Sequence, residues 1–254
     1  MSPFLSVTVE HGVVTAAFAR ADRGNAYDAA MLRSLFEALA RAADDAAVRA
    51  FVLRGEGRHF CCGADIGANG DAKAGEEGGP AVPDVCWRLD TLPKPTIAVV
   101  QGACIGGGLA LAACCDLVIA EQAAFFAMPE IRLGFAPGPL IPFVLRAIGY
   151  RQARRLLLTG ERFSAEEAAR IGLVHVLCDA GKGDEALRAA LSEVMQAAPK
   201  AAAATKAMTR RLAGVAITPK LLDDLEDAFR TAAGSDEARE GLAAFSEKRP
   251  PRWS

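Results

Sequence analysis

The sequence contains few histidines, and its cysteines do not have the spacings of metal ligands. The three histidines lie far apart (His11, His59 and His175), and two pairs of the seven cysteines are adjacent in sequence. We therefore predict no metal centre, and reduced thiols in the core of a cytoplasmic protein. The sequence does not open with a basic region followed by an apolar run, which argues against a signal peptide. No apolar stretch reaches about 18 residues, the length that suggests a membrane span.

The sequence also has no large excess of charge of either sign. Its formal net charge is -2, so no general basic field favours a nucleic acid or an acidic membrane as a partner. The chain has 254 residues, of which 52% are hydrophobic and 24% are charged. This is the composition of a globular protein with a sizeable core. We expect neither a nucleic acid nor a membrane among its partners.

The pattern of apolar residues predicts strands that alternate with helices up to about Leu177, and helices alone after that point. Asp28 is predicted to cap the first helix. Residues 63–84, which are rich in glycine, alanine and acids, are predicted as a surface loop. We thus predict an α/β fold with a core over residues 1–195 and a helical region over residues 196–254. The apolar faces of the last helices need to be covered, either by the core or by another subunit.

Three consecutive glycines in IAVVQGACIGGGLALAACCD lie between a predicted strand and a predicted helix. Glycine lets backbone N–H groups approach a ligand closely, and the start of a helix adds partial positive charge at the same place. Such a turn can bind a phosphate, stabilise an oxyanion, or serve only the close packing of strand against helix. The spacing matches neither a P-loop nor a dinucleotide-binding motif.

Two further segments carry chemistry. GRHFCCGADI offers a second turn with exposed amides around Gly63, Ala64 and Asp65, and N–H groups from two such turns can converge on one carbonyl oxygen, as in an oxyanion hole. In FFAMPEIRLGFAPGP, the apolar neighbours of Glu130 favour a raised pKa suited to acid–base catalysis. The alternative is an ordinary exposed glutamate at a strand–helix junction. His59 is either a second acid–base group or a turn residue that faces solvent.

Together these segments resemble the crotonase superfamily, which includes the enoyl-CoA hydratases and isomerases. The resemblance extends to ARADRGNAYDAAML, to RQARRLLLTGERFSAEEAARIGLVHVL and to the ending FSEKRPP, so it covers nearly the whole chain. It implies a ββα superhelix with a C-terminal helical trimerisation region, assembled as a homotrimer or as a hexamer of two trimers. It also implies an acyl-CoA thioester substrate, with coenzyme A as part of that substrate and no separate cofactor.

The resemblance assigns roles to individual residues. The amides of Ala64 and Gly107 are expected to bind the thioester carbonyl oxygen and to stabilise an enolate, and Glu130 is expected to be the catalytic acid or base. The resemblance further implies that the substrate or its coenzyme A contacts Arg23, Gly24, Ala26, Ala64, Asp65, Ile66, Gly106, Gly107, Pro129 and Lys248.

One position departs from the pattern of hydratases that use two acids. They carry a first glutamate two residues after the glycine turn, where this sequence has Ala110. The segment FAPGPLIPFVLRAIG is most similar to bacterial members that keep only the second acid and resemble methylglutaconyl-CoA and isohexenylglutaconyl-CoA hydratases. We therefore expect hydration of a 2-enoyl-CoA. Two alternatives stay open: an isomerase that moves a double bond with Glu130 alone, and an acyl-CoA-binding protein without turnover.

Overall fold

The computed structural model describes residues 2–66 and 79–253, and the chain divides into two compact units. The first unit ends at Leu191 and the second begins at Ser192, whereas the sequence suggested a boundary after residue 195. The first unit combines sheets with helices, and helices make up the regular structure described in the second. The chain therefore has the α/β fold class that the sequence predicts.

Two β-sheets form the frame of the first unit. Their strands are β1 (Leu5–Glu10), β2 (Val13–Phe18), β3 (Ala50–Gly55), β4 (Thr96–Val100), β5 (Ala103–Ile105), β6 (Leu117–Glu121), β7 (Phe125–Ala127), β8 (Phe163–Ser164) and β9 (Val176–Cys178). The larger sheet has the order β1-β2-β3-β4-β6-β9, with β1 antiparallel to β2 and the other pairs parallel. The smaller sheet has the order β5-β7-β8.

The helices of the first unit connect these strands or cover them. They are α1 (Ala29–Asp44), α2 (Val82–Thr91), α3 (Gly107–Ala113), α4 (Ile141–Thr159), α5 (Ala165–Arg170) and α6 (Gly183–Val194), the last of which crosses the unit boundary. The second unit contains α7 (Pro199–Leu212), α8 (Pro219–Ala233) and α9 (Asp236–Glu247). Asp28 caps α1 as predicted, because its carboxylate accepts a hydrogen bond from the Met31 amide at 2.8 Å.

Successive turns of the chain add one strand to each sheet. β4 and β5 are followed by α3, and β6 and β7 then pair with β4 and β5 respectively. A parallel bridge between Cys61 and Cys104 places the turn after β3 beside β5. This repetition is the ββα arrangement implied by the resemblance, and it stacks the segments that follow β3, β5 and β7 on one another.

Asp116, the acid that ends the apolar stretch after the three glycines, is a structural residue. Its carboxylate accepts hydrogen bonds from the Thr96 amide and the Thr96 hydroxyl, each at 2.8 Å, and its own amide donates to that hydroxyl at 2.9 Å. These bonds fix the start of β4 to the segment that leaves α3. The strand and the helix on either side of the glycine turn are thereby held together at their far ends.

The prediction of a loop over residues 63–84 is wrong at its C-terminal end. α2 begins at Val82, and it buries Val85, Cys86 and Leu89 against the rest of the core. The spacing of these three residues is that of a helical apolar face, which the sequence analysis did not detect next to so many glycines and acids. Residues 67–78 of the predicted loop lie outside the described residues.

The described part of the chain includes every cysteine, and no disulfide is formed there. Within residues 2–66 and 79–253, no group of three or more histidine, cysteine or acidic side chains is arranged to hold a metal ion. Of the helices described, none combines the length and the apolar character that crossing a membrane requires.

Two histidines accept hydrogen bonds from strand amides and must be neutral to do so. The Nδ1 atom of His59 accepts from the Ala103 amide, and that of His175 accepts from the Val118 amide, each at 3.0 Å. The pKa of His59 is lowered by burial and then by the nearby Arg58, and burial also lowers the pKa of His175. The unfolded chain therefore binds more protons than the folded chain once the pH falls below about 6.5, the ordinary histidine value.

We expect thermal stability to fall as the pH decreases from 7 towards 5, because the two histidines favour folding only while they are neutral. His175→Asn keeps an acceptor near the Nδ1 position but does not titrate, so its melting temperature should depend less steeply on pH. His11→Asn, in the exposed turn between β1 and β2, is the matched control, because it makes the same substitution at the surface. Equal slopes in all three proteins, measured by differential scanning calorimetry, would contradict this explanation.

Candidate active site

A cavity of about 440 Å³ opens where the segments that follow β3, β5 and β7 meet. The residues predicted from the sequence that line it are Ala64, Ile66, Gly106, Gly107, Pro129 and Glu130. Glu130 is the one acidic or basic side chain among the described lining residues. A cavity of about 500 Å³ against β2, β3 and β4 is larger, but none of the predicted site residues lines it. We therefore place the candidate site in the smaller, mostly apolar cavity.

The first turn presents the amide of Ala64 to this cavity. Ala64 forms a parallel bridge with Tyr27, in which the Tyr27 amide donates to the Gly63 carbonyl and the Asp65 amide donates to the Tyr27 carbonyl, both at 2.9 Å. The residues on either side of Ala64 thus make both hydrogen bonds of the bridge. The N–H of Ala64 itself points away from Tyr27. It donates no hydrogen bond to any part of the chain that the structure describes.

The three consecutive glycines each lie against a different group. A Cβ atom at Gly106 would lie 2.7 Å from Glu130 Oε1, and one at Gly107 would lie 2.8 Å from the Tyr27 Cζ atom. A Cβ atom at Gly108 would lie 2.7 Å from the Cys61 carbonyl oxygen. Any side chain at these positions would therefore displace the catalytic candidate, the tyrosine or the first turn.

The second amide comes from Gly107, the first residue of α3. An amide at this position has no partner within its own helix, and that of Gly107 donates no other hydrogen bond to the described residues. The two turns are in contact, since a Cβ atom at Gly106 would lie 3.9 Å from Gly63 Cα. The structure therefore brings two unpaired N–H groups, of Ala64 and Gly107, to the wall of one cavity.

Glu130 lies in a short 3-10 helix over Pro129–Leu133, directly after β7. Its Oε1 atom lies beside Gly106, and its Oε2 atom is buried without a hydrogen-bond partner among the described residues. Burial raises the pKa of the Glu130 carboxyl, and a hydrogen bond from its own amide offsets only part of this effect. A buried carboxylate oxygen without a partner is unfavourable for folding, so its presence beside the cavity indicates a functional role for Glu130.

The segment predicted to contact coenzyme A lies beside the first turn. Arg23 is exposed at the end of a short 3-10 helix, and Gly24 follows it with φ 61° and accepts a hydrogen bond from the Cys62 amide at 3.0 Å. Ala26 is buried, and its carbonyl accepts a hydrogen bond from Arg20 at 3.3 Å. The arrangement leaves the Arg23 side chain in solvent at the edge of the site.

The remaining predicted residues differ in their surroundings. The Asp65 side chain is occupied by an ion pair with Arg20 at 2.9 Å, so its contribution to a ligand would come from its backbone. Ile66 is 48% exposed at the rim of the cavity. Lys248 belongs to the second unit, where it is exposed at the end of α9 with φ 54°.

Ala110 is fully buried on α3, between the buried Leu109 and Leu111. The position thus provides no second carboxylate. His59 is not a second acid–base group of this cavity, because it is absent from the cavity lining and its Nδ1 atom is engaged by the Ala103 amide. Glu130 is left as the acid–base candidate.

Two polar residues around the site did not emerge from the sequence analysis. Asn25 is fully buried with φ 58°, and its side chain binds the Arg20 amide at 2.9 Å and the carbonyl oxygens of Glu56 and His59 at 2.9 and 2.6 Å. It thereby fixes the Arg23 segment to the first turn. Tyr27 is 3% exposed and lines the cavity. An aromatic residue with a polar tip directly before a helix cap was the available indication for Tyr27.

Comparison with protein families and curated sequences is consistent with this geometry. The family model described as enoyl-CoA hydratase/isomerase matches residues 8–254. A putative enoyl-CoA hydratase of Thermus thermophilus is 35% identical over 260 residues, which span 97% of this chain and 100% of the relative. The 2,3-dehydroadipyl-CoA hydratase of Escherichia coli K12 is 33% identical over 231 residues, which span 89% of each chain.

Comparison with solved structures gives a similar result. The crystal structure of an enoyl-CoA hydratase/isomerase from Marinobacter aquaeolei has a TM-score of 0.90 and 37% sequence identity, with 99% of each chain covered. A similarity of this extent includes both the sheets and the C-terminal helices. The fold around the cavity is thus shared with proteins of that description.

Proposed function

The chain belongs to the enoyl-CoA hydratase/isomerase family, and we propose that it adds water to the double bond of a 2-enoyl-CoA. The observation that carries the proposal is the buried, unpartnered Oε2 atom of Glu130 in the same cavity as the two unpaired amides of Ala64 and Gly107. A carboxylate can move a proton there, and the amides can stabilise the negative charge that results. The hydratase names of two relatives also favour hydration.

In the proposed reaction the thioester carbonyl oxygen accepts hydrogen bonds from the Ala64 and Gly107 amides. Water forms a bond from its oxygen to C3 while the Glu130 carboxylate takes one of its protons, and the electron pair of the double bond moves onto the thioester as an enolate. Glu130 then returns the proton to C2, so the net change is the addition of one water molecule. One well-placed amide contributes about 3–4 kcal/mol to the stabilisation of such an oxyanion.

The cavity walls favour an uncharged acyl chain. Beyond Glu130 they consist largely of Val82, Leu133, Phe135 and Leu140 with neighbouring alanines and prolines, and the described lining residues include no lysine, arginine or histidine. A carboxylate at the end of the acyl chain would lose its hydration without gaining a cation. We therefore propose an apolar 2-enoyl-CoA, and not a glutaconyl-type thioester, as the substrate.

A second candidate is double-bond isomerisation. The observation in its favour is the fully buried Ala110, which leaves one carboxylate to handle protons. One carboxylate suffices to carry a proton between C2 and C4 of a 3-enoyl-CoA, so Glu130 serves either reaction.

Assembly is a further part of the proposal. In the second unit, the large apolar side chains Phe229, Leu242 and Phe245 are 68%, 70% and 85% exposed. Exposure of this kind on neighbouring helices is typical of surfaces covered in an oligomer. We propose a homotrimer or a hexamer, with coenzyme A bound as part of the substrate, no separate cofactor, and Lys248 as a contact to its phosphates.

The proposed function is tested by incubating the purified protein in water enriched in oxygen-18 with four thioesters. These are crotonyl-CoA, a longer straight-chain 2-enoyl-CoA, a glutaconyl-type thioester and a 3-enoyl-CoA. We expect one heavy oxygen in the 3-hydroxyacyl product, and higher kcat/KM for the uncharged chains than for the glutaconyl type. Double-bond migration without label would identify an isomerase, and binding of all four thioesters without turnover would identify a non-catalytic binder.

A further inference from the structure

Tyr27 joins the two turns that supply the amides. Its backbone makes both hydrogen bonds that hold the Ala64 turn, and its side chain crosses to the second turn, where its ring carbon Cζ would be 2.8 Å from a Cβ atom at Gly107. The hydroxyl group extends beyond Cζ and lies directly against the Gly107 backbone. Tyr27 is 3% exposed, so packing against neighbouring residues sets the position of its side chain.

The Tyr27 hydroxyl is free to donate a hydrogen bond. The hydroxyl forms no hydrogen bond within the ranges that the structure describes, and Tyr27 lines the cavity. Its pKa is raised far above the ordinary value, first by burial and then by electrostatic interactions with neighbouring groups that include the Glu130 carboxylate, so the phenol stays protonated. Its oxygen is accessible from the cavity, so a water molecule or a ligand group there can accept a hydrogen bond from it.

The Tyr27 hydroxyl lies against the Gly107 turn, and helix geometry directs a long side chain at residue 110 towards the same turn. Residues 107 and 110 are three apart on α3 and therefore share a face of the helix. Helical side chains lean towards the N-terminus, so a longer side chain at residue 110 would cover the turn at Gly107. Ala110 is too short to do so, and the Tyr27 hydroxyl lies against that turn instead.

Tyr27 and Glu130 flank the same pair of glycines. The Tyr27 hydroxyl lies at Gly107, and Glu130 Oε1 lies beside Gly106, with the unpartnered Oε2 on the same carboxylate. A bound water molecule needs two to four polar partners in a cavity. We infer that the Tyr27 hydroxyl and the Glu130 carboxylate together hold the water molecule that adds to C3. Tyr27 is then the second polar group of the reaction site, in place of a second carboxylate.

This inference rests on the proposed hydration, and the variant Tyr27→Phe tests it because only the hydroxyl is removed. We expect kcat for hydration of an apolar 2-enoyl-CoA to fall on the order of tenfold to a hundredfold. The second measurement is exchange of the C2 protons of a 3-enoyl-CoA with deuterium from solvent. This exchange needs Glu130 and the two amides but no added water, so it should continue at the wild-type rate.

Retained exchange also demonstrates that the variant is folded. The chain has two tyrosines, and Tyr150→Phe is the matched control because Tyr150 is 58% exposed on α4. A parallel loss of hydration and exchange in Tyr27→Phe would overturn the inference, because it would place the hydroxyl on the enolate oxygen or in the framework. Unchanged hydration would also overturn it. If the wild-type protein exchanges or isomerises a 3-enoyl-CoA but never adds water, the proposed hydration is wrong. The water-binding role of Tyr27, which rests on it, is then wrong as well.

Discussion

Glu130→Gln should reduce turnover of the preferred enoyl-CoA by about 10²–10⁴-fold, the contribution usual for general acid–base catalysis. Glutamine has nearly the same shape as glutamate, so binding of the acyl-CoA through the Ala64 and Gly107 amides should persist. The measurement is kcat from initial rates together with a dissociation constant for the product or a saturated thioester. A loss confined to kcat would show that the carboxylate acts in the transition state and not in binding.

The pH dependence of the wild-type enzyme provides a second measurement of the same group. Burial raises the Glu130 pKa, and the carboxylate must be ionised to take a proton from water. The rate should therefore begin to fall, as the pH decreases, at a higher pH than an ordinary glutamate would give. Glu10→Gln, at the exposed end of β1, should keep both the rate and the profile. Equal rates in Glu130→Gln and the wild type would remove Glu130 from the mechanism.

Gly106→Ala should have the second largest effect, because two independent constraints exclude a side chain at this position. The backbone has φ 57° and ψ -125°, a conformation that residues with a Cβ atom seldom adopt. The added Cβ atom would also lie 2.7 Å from Glu130 Oε1. The carboxylate and the neighbouring Gly107 amide would both have to move.

We expect kcat/KM of Gly106→Ala to fall by at least about 10², since displacement of one oxyanion donor alone has an effect of this size. The strained backbone should lower the free energy of unfolding by about 1–3 kcal/mol. Urea denaturation and steady-state kinetics measure the two effects separately. Gly234→Ala is the control, because Gly234 has φ -84° and its nearest contact for a Cβ atom is an ordinary 3.6 Å. Similar losses in the two variants would mean that the conformation at Gly106 is not special.

Much of this site could be predicted from the sequence because its parts are local. A turn of three glycines after an apolar strand allows close approach of the backbone whatever the rest of the fold is. The capping role of Asp28 likewise depends only on the three residues that follow it. The strands and most helices follow from apolar periodicity for the same reason. The α/β class and the order of the elements could therefore be predicted from the sequence.

The role of Tyr27 could not be predicted, because it depends on contacts between segments far apart in sequence. The tyrosine side chain can lie at the cavity because Gly107 leaves room for it, and Gly107 belongs to a later turn of the chain. The raised pKa of Glu130 could be predicted from the sequence, but its physical cause could be predicted only in part. Its apolar neighbours Leu133 and Phe135 are 56% and 52% exposed around the cavity, so the raised pKa comes from burial against the glycine turn more than from a closed apolar shell.

The cavity wall divides into two parts with different freedom to change during evolution. The two amides are fixed by hydrogen bonds and close packing between stacked turns, so we expect nearly every substitution at Gly106, Gly107 or Tyr27 to disturb the proposed reaction. The apolar part, which we propose faces the acyl chain, includes Leu133 and Phe135, whose side chains are partly exposed to solvent. Substitutions there can accumulate at little expense to the fold. Descendants of this protein can therefore acquire new acyl specificities while the reaction centre is inherited intact.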